Sequence, residues 1–195
     1  QPRWMPENPI NDYARIGSKN IGNNYVDGSG AWIPGKVKAQ AGWVQSGSRW
    51  WYRHADGSYT TNGWEVINGA WYYFDGAGWM VTGWLKRASS WYYLEPGNGN
   101  MVTGWRKIGS TWYYLNPGNG DMATGWTTIG GTRYYMNQDG AMVVGWLQLG
   151  SDWYYMNGSG AMLTGWQKIG GTWYYLNPTT GKMATGWTTV GGSKY

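Results

Sequence analysis

Three residue types are placed where they could do chemistry: Trp, Tyr and Met. A Gly-Trp pair stands at Gly42-Trp43, Gly63-Trp64, Gly83-Trp84, Gly104-Trp105, Gly125-Trp126, Gly145-Trp146, Gly165-Trp166 and Gly186-Trp187. A second Trp follows seven residues after six of these tryptophans, at Trp50, Trp71, Trp91, Trp112, Trp153 and Trp173. A Gly-x-Met step then recurs at Met80, Met101, Met122, Met142, Met162 and Met183. An indole face is electron-rich and attracts a cation, each ring contributing about 0.5–2 kcal/mol. A thioether adds a polarizable, adaptable wall. Such rings around a gap suit a quaternary ammonium group, which has no N–H to donate. The chain carries 18 Trp and 17 Tyr but a single Phe. A core that needed only apolar bulk would use Phe freely; Trp and Tyr bring a polar edge as well.

Other chemistries are poorly supplied. There is no Cys, one His and ten acidic residues spread along the chain. No metal-ligand spacing, phosphate loop or nucleophile motif is present. His54, beside Arg53 and before the turn-like Asp56-Gly57, reads as a surface histidine, and Asp75 and Asp139 read as turn residues. The expectation is no catalytic residue, no metal and no cofactor. The net charge of +5 is scattered over residues such as Arg106, Lys107, Lys168 and Lys182. That pattern fits mild attraction to an anionic polymer and lacks the basic block of a nucleic-acid reader. No apolar run approaches the roughly 20 residues of a membrane span.

The elements that must position these rings follow from the period. The Gly-Trp pairs are 21, 20, 21, 21, 20, 20 and 21 residues apart. A fixed short period is the signature of a repeat or solenoid architecture. In the unit at Trp64, Asn68-Gly69 predicts a two-residue hairpin turn, since both its central residues favour positive φ. That turn pairs Ile67 with Ala70, Val66 with Trp71, Glu65 with Tyr72 and Trp64 with Tyr73. Alternation then puts Trp64, Val66, Trp71 and Tyr73 on one face. The opposite face, with Glu65, Ile67, Tyr72 and Phe74, is expected to be the interior. A lone hairpin is marginal in water, so neighbours must stack on it. The predicted class is all-β, a solenoid of stacked hairpins of about 20–21 residues.

The domain reading has four parts. Residues 1–21 hold three of the seven Pro and read as a linker or the tail of an upstream domain. Residues 22–42 read as a degenerate repeat. Residues 43–185 read as seven repeats, and 186–195 as a partial one.

Gly-Trp, six residues, Trp-Tyr-Tyr, then Gly-x-Met and Thr-Gly-Trp: this pattern resembles the choline-binding (cell-wall-binding) repeats of pneumococcal-type murein hydrolases, phage lysins and surface proteins. The resemblance covers about 43–195 and, weakly, 22–42. It implies a left-handed superhelix of hairpins with sites between consecutive hairpins, each built from two Trp, a Tyr of the next hairpin and often a Met. Carried over, the sites are Trp43, Trp50 and Tyr73 with Met80; Trp64, Trp71 and Tyr93 with Met101; and Trp84, Trp91 and Tyr114 with Met122. Then come Trp105, Trp112 and Tyr135 with Met142, and Trp146, Trp153 and Tyr175 with Met183. Arg133 stands where the Trp126 unit should have its second Trp, and a fixed cation repels a ligand cation. No site is therefore expected at Trp126 with Tyr155. Trp166 and Trp173 are expected to lack a tyrosine, because the matching position would be 196.

The resemblance also implies a partner and a place. The ligand is choline or phosphocholine of teichoic and lipoteichoic acids. The setting is secreted, on a bacterial cell wall or in a phage lysin acting on one. An attached upstream domain is expected, and a homodimer is allowed. Two other readings stay open from the residues: a glucan- or carbohydrate-binding repeat module, since rings also stack on sugars, and a mainly structural stalk of an adhesin.

Overall fold

The structure is a computed structural model that describes residues 19–21, 24–29, 31–37 and 40–195. Among these there is no helix. The chain divides into two compact units, Gln1–Val102 and Thr103–Tyr195.

The first unit begins with a three-stranded antiparallel sheet of β1 (Lys19–Ile21), β2 (Asn24–Val26) and β3 (Trp32–Val37). β1 pairs with β2 through Lys19↔Val26 and Ile21↔Asn24. Residues 19–21 thus share a sheet with 24–26 and 32–37, on both sides of the boundary expected after residue 21. The rest of the expected linker, 1–18, lies outside the described residues. Three hairpins follow: β4 (Gly42–Ser46) with β5 (Arg49–Arg53), β6 (Gly63–Ile67) with β7 (Ala70–Phe74), and β8 (Gly83–Arg87) with β9 (Ser90–Leu94).

The second unit repeats the theme. Its hairpins are β10 (Gly104–Ile108) with β11 (Thr111–Leu115), β12 (Gly125–Ile129) with β13 (Thr132–Met136), β14 (Gly145–Leu149) with β15 (Asp152–Met156), and β16 (Gly165–Ile169) with β17 (Thr172–Leu176). A short pair, β18 (Thr189–Val190) and β19 (Ser193–Lys194), completes it.

Turn chemistry fixes the register. Asn68 and Gly69 both take positive φ, 51° and 83°, as a type I′ turn requires. The result is the expected pairing: Trp64↔Tyr73, Glu65↔Tyr72, Val66↔Trp71 and Ile67↔Ala70. The corresponding pairing recurs in the hairpins at β10, β12, β14 and β16.

A single row of side chains forms the centre of each unit. Phe74 and Leu94 in the first unit, and Leu115, Met136, Met156 and Leu176 in the second, are essentially inaccessible. All six end a second hairpin strand on the face expected to be interior. Each is closed by an isolated bridge to a downstream methionine: Phe74↔Met80, Leu94↔Met101, Leu115↔Met122, Met136↔Met142, Met156↔Met162 and Leu176↔Met183. The Ile67 position is less uniform. Ile67 is buried, whereas Ile108, Ile129, Leu149, Ile169 and Val190 are only partly so. The opposite face is not simply open either, because Tyr73 and Tyr93 on it are buried.

Candidate functional site

Trp43, Trp64, Trp105, Trp126, Trp146 and Trp166 are each held between two tyrosines. Trp64 meets Tyr73 of its own hairpin at 5.2 Å and Tyr92 of the next hairpin at 5.1 Å, both edge-on. Trp43 meets Tyr52 and Tyr72 at 5.3 and 4.8 Å. Trp105 meets Tyr114 and Tyr134 at 5.2 and 4.9 Å. Trp146 meets Tyr155 and Tyr174 at 5.0 and 4.8 Å. Edge-to-face contacts of this kind add about 0.5–1.5 kcal/mol beyond the area they bury. The first Trp is therefore a rivet between hairpins.

The second tryptophan is the freer ring. Trp71, Trp91, Trp112 and Trp173 are 47%, 39%, 41% and 60% exposed. In several hairpins it stands almost perpendicular to the first, making a corner: Trp84–Trp91 and Trp105–Trp112 at 6.3 Å with 89° and 88° between planes, and Trp146–Trp153 at 6.1 Å with 84°.

Methionine is brought to the corner by backbone. Met80 N donates to Trp50 O (2.7 Å), Met101 N to Trp71 O (2.7 Å), Met142 N to Trp112 O (2.8 Å) and Met183 N to Trp153 O (2.7 Å). The connecting segment of one repeat is thus tied to the second-Trp strand of the repeat before it. The methionine side chain is then covered by the next turn loop. A Cβ on Gly99 would lie 2.3 Å from Met80 Sδ, and one on Gly160 would lie 2.4 Å from Met142 Sδ.

Two such pairs of tryptophans border cavities that open to solvent. One, of about 430 Å³, is lined by Trp105, Trp112, Tyr134, Met142, Gly158 and Ser159. The other, of about 310 Å³, is lined by Trp43, Trp50, Tyr72, Met80, Gly97 and Asn98. These are small, mostly apolar pockets near the lower end for ligand sites. Each draws on three consecutive repeats: two Trp from the first, Tyr and Met from the second, and a loop from the third. Strand alternation gave no signal for the loop residues Gly97, Asn98, Gly158 and Ser159.

The tyrosine register differs from the expected one by a residue. Tyr72 and Tyr134 line the cavities, where Tyr73 and Tyr135 were expected. By the same contacts Tyr92 and Tyr174, not Tyr93 and Tyr175, reach back to Trp64 and Trp146. Tyr73, Tyr93, Tyr114, Tyr135 and Tyr175 instead pack on the first Trp of their own hairpins. The reason is stacking: the Trp face of one hairpin looks at the opposite face of the next, so the donated Tyr comes from the strand position on that other face. The shift has a consequence at Trp166. Its ring meets Tyr195 at 5.1 Å, one position before the 196 of the expected register.

Arg133 lies where its unit has no second Trp. Its guanidinium carbon stands 4.4 Å over the Trp126 ring, while Trp126 still meets Tyr135 and Tyr154 at 5.2 and 4.9 Å. The expected tyrosine for this junction, Tyr155, packs on Trp146.

Polar residues near the cages are mostly committed to structure. His54 bridges Ser58 Oγ and Glu65 Oε1, both at 2.8 Å, and so pins the first long loop to β6. Hydrogen bonds from Ser58 to Asp56 hold that carboxyl below its usual range. Lys182 pairs with Asp152 at 2.7 Å, which raises its ammonium above its usual value. Asp75 accepts from the backbone N–H of Ala77 and Trp79, the turn role expected for it. No group of three or more metal-binding side chains occurs among the described residues, and no described helix is long and apolar enough to cross a membrane.

A family model and several solved structures point to one kinship. A family model described as a choline-binding repeat matches residues 61–103, 97–124, 123–164, 144–186 and 163–195. No curated protein matches the chain. Among solved structures, CbpJ from Streptococcus pneumoniae TIGR4 is similar, with TM-score 0.72 and 35% identity, covering 91% of this chain and 70% of its own. Choline-binding protein F of S. pneumoniae, solved in the presence of a peptidoglycan analogue, gives 0.69 and 32%, covering 91% and 68%. The choline-binding domain of CbpL from S. pneumoniae gives 0.57 and 30%, covering 75% and 78%.

Proposed function

This chain belongs to the choline-binding repeat family, and on that premise we propose that it is a non-catalytic wall-binding module. It holds an attached domain on a bacterial surface by gripping choline of teichoic or lipoteichoic acid. The observation that carries this reading is the repeated aromatic corner. Two Trp, a Tyr from the next hairpin and a Met surround a cavity at Trp43 and again at Trp105. The rings and contacts of that frame recur at Trp64 and Trp146.

The geometry favours a compact cation over a sugar. Indole planes at 84–89° make a corner. A pyranose ring needs a flat platform and polar partners for its hydroxyls, whereas a trimethylammonium group presents methyls in several directions to quadrupole-rich walls. Among the related structures, one is of a domain named for choline binding and another was solved with a peptidoglycan analogue, which supports a wall polymer as the target.

The positive net charge is compatible with this ligand. Phosphocholine on a polymer brings phosphates, and Lys107 and Lys168 lie cross-strand from Trp112 and Trp173. Such exposed pairs contribute under about 1 kcal/mol each. Single cages bind weakly; several engaging one repeating polymer gain by avidity, by orders of magnitude where geometry allows.

The test is isothermal titration with choline chloride, with dextran as control. Saturable choline binding, with no fewer equivalents than the four complete cages at Trp43, Trp64, Trp105 and Trp146, is the expected result. Dextran binding without choline would replace this reading with a glucan-binding one. Binding of neither would leave a structural stalk.

A further inference from the structure

The junction at Trp126 differs from its neighbours in one wall only. Trp126 is riveted between Tyr135 and Tyr154 like any other first Trp. Met162 N donates to Arg133 O at 2.8 Å, the bond that Met142 makes to Trp112. A Cβ on Gly181 would lie 2.4 Å from Met162 Sδ, so the methionine is covered here as it is elsewhere. The backbone frame of a cage is complete, yet its second ring is replaced by a cation.

That cation is partly withdrawn from solvent. Arg133 is half-buried, whereas Trp112 at the matching position of the preceding hairpin is exposed. Its guanidinium lies 4.4 Å over Trp126, well inside the roughly 6 Å reach of a cation–π contact. Among the described residues no carboxylate pairs with it. Guanidinium is planar, weakly hydrated and suited to stacking on an aromatic face.

Given the cage reading above, we propose that Arg133 is a tethered ligand: its guanidinium occupies the Trp126–Tyr154–Met162 cage and closes this junction without choline. A side chain fixed in the strand beside its own cage is present at high effective concentration, at least the millimolar level of short flexible tethers. Free choline at a weak site does not displace it. Trp126, which meets Tyr154 of the next hairpin, is therefore capped whether or not the wall polymer is present. The two open cages of the second unit that flank this junction, at Trp105 and Trp146, keep a fixed spacing for the polymer.

The experiment compares the full chain with its Arg133→Ala and Arg133→Gln variants by thermal unfolding, without ligand, with methylguanidinium, and with choline. In the absence of ligand both variants are expected to melt about 2–4 °C lower, the shift appropriate to loss of one contact in a chain of this size. Methylguanidinium should restore that loss in Arg133→Ala and leave the parent unchanged. Choline titration should show one more equivalent for Arg133→Ala than for the parent. Arg133→Gln keeps most of the side-chain volume, so it separates loss of charge from a packing defect. Unchanged melting in both variants, or a loss that methylguanidinium does not repair, overturns the tethered ligand. Methylguanidinium rescue in a chain that binds no choline at any site would keep the tethered ligand and sink the choline reading instead.

Discussion

Tyr72 and Tyr73 are adjacent in β7 and face opposite ways. Tyr72 meets Trp43 of the preceding hairpin at 4.8 Å and lines its cavity. Tyr73 is 3% exposed and supports Trp64 from below. Their substitutions should separate binding from folding. Tyr72→Ala is expected to weaken or remove choline at the Trp43 cage with a small loss of stability. Tyr73→Ala should cost about 3 kcal/mol, the scale of a large aromatic removed from a core, and weaken choline binding mainly through unfolding. Denaturant melts alongside a choline titration of each variant decide the matter. If Tyr73→Ala lost one site and kept full stability, the register described above would be wrong.

At the scale of the element, the hairpin turn is the controlling piece. Most turns place glycine or asparagine where φ is positive, but β8 and β9 are joined through Ala88 at φ 51°. A Cβ in that region is crowded against the following carbonyl, at about 1–2 kcal/mol. Ala88→Gly relieves the crowding and gives back part of the gain through the greater freedom of the unfolded chain. A net stabilisation of about 0.5–1 kcal/mol is expected, read as a rise in denaturation midpoint at unchanged slope. A lower midpoint would mean that the turn is not strained. The turn was legible in the sequence because Asn68-Gly69 announces both its type and its length. The pairing followed from that alone, and with it the interior row ending at Phe74.

For the whole molecule, the relevant quantity is how binding responds to solution conditions. A quaternary ammonium ligand keeps its charge at every pH. Indole, thioether and phenol side chains do not ordinarily titrate between about pH 5 and 9. His54 is bonded to Ser58 and Glu65 and lines neither of the two cavities described above. Choline affinity should therefore be flat across that range, measured by titration at several pH values; a step near neutrality would place a titrating group in the cages. Stability behaves differently in acid. Asp56 has its folded pKa lowered by the Ser58 hydrogen bonds, so its contribution is present above the usual carboxylate range and is lost as pH falls through the depressed value. The group is exposed, so the effect is small.

The sequence by itself determined the repeat, the hairpin, its turn and its register, because each depends on neighbours within about 20 residues and on rules local to the chain. It also determined which ring types recur at each hairpin position, and it marked Arg133 as the exception. Only the tertiary structure decided what meets across hairpins. Alternation tells which residues share a face but not which face of the next hairpin that face will meet. For that reason Tyr72 meets Trp43, Tyr195 meets Trp166, and loop residues as distant as Ser159 line the Trp105 cavity. The same limit applied to Arg133. Its charge was visible in the sequence, but that its guanidinium lies over Trp126 is a fact of packing.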